Sequence, residues 1–252
     1  MKLSCLIPVF ALLLPAMVRA TTFTVTSAAN SGAGTLRQAI LDANADAPGT
    51  TLLPHRIEFG VAGTGVKTIT LTSTLSNISR PTVVDGSTQT GYAAGGQPKV
   101  RITFNFVAAN LNGLTFLSTA DGSIARALNI IEFGGNGAGV LLNGLDNASV
   151  DACWLGVDSD GETARGGGAG VRLQNAVSCS VTGCVLSGND FGADFTGTTN
   201  KCSLSGCLIG FGAAGFATGN TTSGIRIVST AFQNTIGGAG STGRNLIAHN
   251  TT

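Results

Sequence analysis

Five short segments of one shape recur along this chain: Gly113-Leu-Thr-Phe-Leu-Ser, Gly139-Val-Leu-Leu-Asn-Gly, Gly170-Val-Arg-Leu-Gln-Asn, Gly192-Ala-Asp-Phe-Thr-Gly and Gly224-Ile-Arg-Ile-Val-Ser. Each reads glycine, apolar, variable, apolar, then mostly polar, and the glycines stand 26, 31, 22 and 32 residues apart. A second shape follows several of them. CSVTGCVLSGN (179–189) and CSLSGCLIGFG (202–212) match closely, ASVDACWLGVD (148–158) fits the same template, and NLIAHN (245–250) repeats its last part. Alternation of apolar and polar residues makes each piece a strand with one buried face. A strand this short cannot bury a core alone. Coils stacked about 4.8 Å apart let each strand pair with neighbours above and below, so that like residues sit over like residues. A repeat of 22 residues suits three strands and three turns, and the longer spacings become insertions at 157–169 and 211–223.

Composition agrees. Glycine is 37 of 252 residues, about 15 per cent against a usual ~7 per cent, and charged residues are only 11 per cent. Low charge argues against disorder, the absence of a strict G-X-Y period against collagen, and the scarcity of Lys, Glu and Arg against long amphipathic helices. The first twenty residues read as a secretory signal peptide: Lys2, an apolar run from Cys5 to Met17, then Val18-Arg19-Ala20 before Thr21. The alternative, a membrane anchor, needs about 20 apolar helical residues, and the run is shorter. Without Lys2 and Arg19, twelve cations face 13 acids, a mature charge of −1. No footprint for nucleic acid or an anionic membrane follows from that balance, and the mature chain is expected to carry no membrane span.

Three stretches resemble the bacterial right-handed parallel β-helix proteins of the pectate-lyase-like superfold. Gly34-Thr-Leu-Arg-Gln-Ala-Ile-Leu-Asp-Ala-Asn44 is similar to the G-S-L-R-E-A-I-x-x-A-N segment near the start of many secreted members. Leu155-Gly-Val-Asp-Ser-Asp-Gly161 resembles the I-G-T-D-x-x-G loop, and Asn234-Thr-Ile-Gly-Gly238 with Asn245-Leu-Ile-Ala-His-Asn250 resembles the N-T-I-G-G and N-V-I-S-G-N repeats. The resemblance implies an all-β solenoid over 21–252, with an N-terminal cap and first coils in 21–100 and repeated coils in 101–252. Thr35 is placed to cap a helix over 35–44, with Leu36, Ala39, Ile40 and Ala43 on one face, as a lid on the first coil. Strands are expected at 22–26, 56–60, 67–72 and 82–85. No second cap is legible at the C-terminal end, which calls for further coils or a partner.

Stacking turns the repeats into columns. Leu114, Phe116, Val140, Leu142, Val171, Leu173, Ala193, Phe195, Ile225 and Ile227 are the expected core, and Thr115, Leu141, Arg172, Asp194 and Arg226 form an outward column between them. Two readings of Arg172–Asp194–Arg226 stand: charge pairing across rungs, or a sugar-carboxylate site in which an arginine serves as base, as the resemblance to lyases of this fold implies. The lyase reading calls for more acids on the same face, with Asp151 and Asp190 as candidates. The paired aspartates and Gly-His-Gly of the hydrolases of this fold are missing; the only histidines are His55 and His249.

Asp158-Ser-Asp160-Gly161-Glu162 sets alternate acids before a glycine, which is either a calcium loop or an Asp/Gly turn. An EF-hand is excluded because Ala169 stands where the twelfth-position Glu belongs. No other cofactor is expected. Five cysteines remain after Cys5: Cys179 and Cys202 share one column, and Cys153, Cys184 and Cys207 share another that Asn245 continues. Stacked residues lie within disulfide reach, so bridges Cys179–Cys202 and Cys184–Cys207 compete with a reduced, buried ladder. The second column matches the asparagine-ladder turn of the family. Finally, Trp154, Val185, Leu208 and Leu246 should form an outward apolar stripe, either a ligand or partner surface or ground covered by the nearby insertions. These readings together point to a secreted, periplasmic or cell-surface module, adhesin-like and non-catalytic, that binds glycan or another macromolecule. The rival is a polysaccharide lyase acting on acidic glycans by β-elimination.

Overall fold

The computed structural model describes residues 20–46, 49–106, 110–228 and 230–251; the signal peptide expected at 1–20, apart from Ala20, lies outside them. Three sheets run the length of the molecule, and every strand pairing in them is parallel. The first stacks Thr22–Val25, His55–Phe59, Thr82–Asp85, Ile124–Arg126, Ser149–Asp151, Ser180–Thr182, Ser203–Ser205 and Thr235–Ile236. The second stacks Lys67–Leu71, Val100–Phe104, Leu128–Ile130, Trp154–Leu155, Val185–Leu186, Leu208–Ile209 and Leu246–Ile247. The third stacks Leu114–Leu117, Ala138–Asn143, Ala169–Gln174, Phe191–Thr196 and Ser223–Ile227. Neighbours within a sheet come from successive coils, never from adjacent segments. This is a parallel β-helix, right-handed as crossovers between parallel strands are.

The sequence columns are the register. Val140 pairs with Leu114 and Val171, Leu173 with Leu142 and Phe195, and Ala193 with Ile225. All the expected core residues of the third sheet are buried except in its last strand, where Ile225 is half-buried and Ile227 is 46% exposed. The correction at Ile227 is local: no described coil covers it from above. The last strands of the other sheets share this exposure at Ile236 and Ile247.

Helix α1 (Leu36–Ala45) closes the opposite end. The Thr35 hydroxyl accepts from the Gln38 amide at 3.3 Å, the capping bond anticipated from sequence. Leu36, Ala39, Ile40 and Ala43 are buried in the common core. Arg37 donates to the carbonyls of Ser73 and Thr74 at 2.9 and 2.5 Å, and the Asn44 side chain donates to Asn77 at 2.8 Å, which ties the lid to the first coil.

Polar side chains stacked at the corners hold one coil to the next. The Asn245 side chain accepts from the Cys207 amide at 3.0 Å and donates to the Leu204 carbonyl at 2.9 Å. Cys207 repeats the gesture one coil down: its sulfur accepts from the Cys184 amide at 3.4 Å and its thiol donates to the Val181 carbonyl at 3.8 Å. Asn234 and Cys202 do the same in the neighbouring corner, Cys202 sulfur accepting from the Cys179 amide at 3.3 Å. All five cysteines are free, buried thiols, and both candidate disulfide pairs are in contact. Burial pushes the Cys184 thiol well above its ordinary pKa. A third ladder, missed in the sequence, runs through Asn189, Asn220 and Asn250. Asn220 accepts from the Asn189 amide at 3.1 Å and donates to the Leu186 carbonyl at 3.0 Å.

Asn220→Ala would orphan two buried backbone groups, each costing about 1–3 kcal/mol, so it should lower unfolding free energy by roughly 2–5 kcal/mol in guanidinium titrations. Asn220→Cys should lose markedly less, because a thiol serves the same contacts in the other two corners.

Candidate functional site

Two outward surfaces collect the residues singled out in the sequence. The first is the stripe on the second sheet, where Trp154 pairs with Val185, Val185 with Leu208, and Leu208 with Leu246, one rung per coil. A groove of about 420 Å³ lies over it, with Trp154, Val185 and Leu208 on its floor beside Gly183 and Gly206 at the corner. Gly183 and Gly206 adopt φ of +62° and +66°, the left-handed turn that ends each strand of the first sheet.

The groove walls come from loops. Gly95, Gly96 and Gln97 form one; the two insertions form the other, contributing Asp160, Ala213 and Ala214. Each insertion folds back on itself, bridged antiparallel at Val157–Ala164 and at Phe211–Ala217. They stack on each other as the coils do: Ala213 donates to the Gly161 carbonyl at 2.7 Å, Ala214 to the Glu162 carboxylate at 2.9 Å, and the Thr218 hydroxyl to the Glu162 carbonyl at 3.0 Å. Glu162 thus joins the two loops, a role no sequence spacing announced. Trp154 lies half-buried against Gly161, and Val185 is buried, so the stripe is in part covered by the insertions and in part the bed of an open groove.

The acidic loop uses its carboxylates internally. Asp158 pairs with Arg101 and, at 3.0 Å, with Arg165, and accepts from the Ser159 amide at 2.6 Å. Asp160 accepts from the Glu162 and Thr163 amides at 2.8 and 2.9 Å and from the Thr163 hydroxyl at 2.5 Å. Burial works against the Asp158 charge, but the Ser159 amide and Arg101 outweigh it and hold its pKa below the usual value. The Thr163 hydroxyl and the amides of Thr163 and Glu162 lower that of Asp160. Among the described residues no cluster of three or more His, Cys, Asp or Glu side chains is arranged to hold a metal.

The second surface is the third sheet's outward column. Arg172 pairs with Asp194 and Asp194 with Arg226 in register. Asp194 is 0% exposed; it accepts from Arg172 Nε at 2.7 Å and from Arg226 Nε and Nη2 at 2.8 Å each. Arg172 also donates to the Asn136 carbonyl at 2.7 Å, and the Arg226 guanidinium lies 4.0 Å from the centre of the Phe191 ring. The Asp194 hydrogen bonds raise the Arg226 pKa against the opposing effect of burial. A cleft of about 450 Å³ here takes in Arg172, Arg226 and Asp190. Asp151 does not join them: it projects from the first sheet, bonded to Arg126 at 3.0 Å.

Neither histidine lines the groove or the cleft. His55 is buried at the start of a first-sheet strand, and His249 packs edge-on against Phe211 at 4.7 Å. No helix among the described residues is long and apolar enough to cross a membrane.

No protein-family model matches the chain, and no curated protein matches it. Four chains of solved structures do. One, titled "Crystal structure of pectate lyase Pel9A", is 11% identical over 93% of this chain and 78% of its own, with a TM-score of 0.27. So loose an overlay transfers no residue; the fold stands on the parallel registers.

Two predictions follow from the carboxylates. Asp194→Asn leaves two guanidiniums without their shared buried partner and should cost about 3–5 kcal/mol, whereas Arg226→Ala, at the exposed edge, should cost about 1 kcal/mol. Asp158 and Asp160 have folded pKa values below their unfolded ones, so their stabilisation is present above about pH 4 and lost as pH falls through the folded values. Asp158→Asn should therefore flatten the acid limb of stability against pH in denaturant titrations.

Proposed function

We propose that the chain is an exported β-helix module that binds glycan through the groove over Trp154 and does not turn it over. The observation that carries this is the groove itself: the chain's single tryptophan opens an apolar floor between two loop walls. Pyranose rings present apolar C–H faces and polar edges. A half-buried indole beside glycine backbone and the side chains of Gln97 and Asp160 matches both. Export rests on the leader-like residues 1–20, and a cell-surface, adhesin-like role fits a rigid rod that presents one long groove.

The state of the arginines supports the non-catalytic reading. A β-eliminating base must be unprotonated, so that it can take a proton from the sugar. Arg226 is tied to Asp194 by two bonds that favour its charged form, and Arg172 shares the same carboxylate. Neither calcium nor another cofactor enters the proposal, since Asp158 and Asp160 already serve protein donors.

Trp154→Ala should weaken glycan binding by at least about 2 kcal/mol, roughly 30-fold in Kd, and Trp154→Phe by much less, as measured calorimetrically at matched stability. Incubation with polyuronates and calcium should release no unsaturated product. Turnover that disappears in Arg172→Ala or Arg226→Ala would establish the lyase instead.

A further inference from the structure

Resting on that reading of the groove, we infer that its ligand is the free end of an uncharged linear polysaccharide, laid parallel to the coil axis with about one sugar per coil. Direction comes from the floor. Trp154, Val185, Leu208 and Leu246 occupy successive coils of one column, so the apolar strip runs along the axis for about 14 Å, three rises of about 4.8 Å. A chain crossing the axis would leave the strip after one ring.

The stop comes from what lies below Trp154. The same column continues downward as Asn129 and then Arg101, but there it is sealed. Asn129 occupies an outward position yet is 0% exposed. Arg101 reaches over to Asp158 and donates to the Ser159 hydroxyl at 3.1 Å, and the Gln97 side-chain amide donates to the Ser159 carbonyl, joining the two walls. In the other direction the strip continues over Val185 and the half-buried Leu208. A groove closed below Trp154 admits a chain terminus at that end and no interior segment.

Charge selects the class. Asp160 is the one charged side chain lining the groove among the described residues; Glu162 and Lys99 lie behind the walls, bonded to Ala214 and Gln97. Its hydrogen bonds to Thr163 and Glu162 favour the ionised state, so a uronate ring would set like charges together at the mouth. An uncharged sugar meets only hydrogen-bond partners and the indole.

The purified protein should be titrated with cello- and malto-oligosaccharides of one to six units, oligogalacturonides of equal length, and a cyclic malto-oligosaccharide, following the fluorescence of Trp154. The expected result is affinity in a neutral series that rises with chain length from a single unit. Oligogalacturonides should bind at least tenfold more weakly and the cyclic oligomer not at all. Asp160→Asn, which keeps the oxygen that caps the loop, should narrow the gap between neutral and acidic ligands. Equal or tighter binding of galacturonides, binding of the ring as strong as of the linear chain, or affinity that does not rise beyond one unit would overturn this inference while leaving glycan binding intact. Failure of every saccharide, neutral and acidic, would overturn the binding-module reading with it.

Discussion

From the second strand on, the strands of this protein take their onward backbone partners from the next coil, and not from the strand that follows in sequence. Parallel pairing at about 4.8 Å per coil is therefore the constraint on which everything else rests. It must hold at three sheets and three corners at once, because a coil displaced in one sheet is displaced in all. The corners are the difficult places. Their amides and carbonyls turn inward where water does not reach, and a buried group without a partner costs about as much as a whole hydrogen bond contributes. The side-chain ladders answer this. Asn189, Asn220 and Asn250 serve one corner, Cys184, Cys207 and Asn245 a second, and Cys179, Cys202 and Asn234 the third.

Cysteine and asparagine exchange places in these columns because the corner asks for two things only: an acceptor for the amide below and a donor for a carbonyl of that same lower coil. A thiol supplies both weakly, and its small, apolar bulk suits a core position. An asparagine supplies both strongly but brings a polar group that must be fully satisfied. The thiols occupy the interior of the stack and the asparagines its last described rung, where Asn234 and Asn245 are only part-buried. The third corner has no such gradient: Asn189 and Asn220 are buried there, each bonded to the neighbouring coil.

Much of this was legible in the sequence because a repeat that stacks in register writes the structure as an alignment. Arg172, Asp194 and Arg226 fall in one column by counting from their glycines, and so do Trp154, Val185, Leu208 and Leu246; both columns are the observed pairings. The helix cap at Thr35 was equally local. What counting could not reach were the contacts made by segments outside the repeat. Gln97 meets Ser159 across 62 residues and Glu162 meets Ala214 across 52, and neither follows a period. The Asn189–Asn220–Asn250 ladder was missed although its members stand 31 and 30 residues apart, because the insertion between Asn189 and Asn220 hides the match. Asp151, expected on the face of Arg172 and Arg226, stands on the first sheet, because a count from the glycines does not say which of three faces a residue between the repeats serves.

The two outward surfaces show how one lattice yields different chemistry. On the third sheet the column places Asp194 midway between two arginines one coil away on either side, and the three groups consume one another. The buried carboxylate accepts three hydrogen bonds, and each guanidinium is committed to it. On the second sheet the column carries an indole and three aliphatic side chains, Trp154, Val185, Leu208 and Leu246, which form no charge pairs with one another. Two coils extend loops beside this column, at 157–169 and 211–223; the coil between them turns directly from Leu186 to Phe191, and across that short turn the two loops meet. Insertions at scattered faces would have given isolated bumps. Insertions at one face two coils apart, joined over the short turn between them, give a wall beside an apolar strip. The register that secures the fold thus also sets two distant insertions against each other.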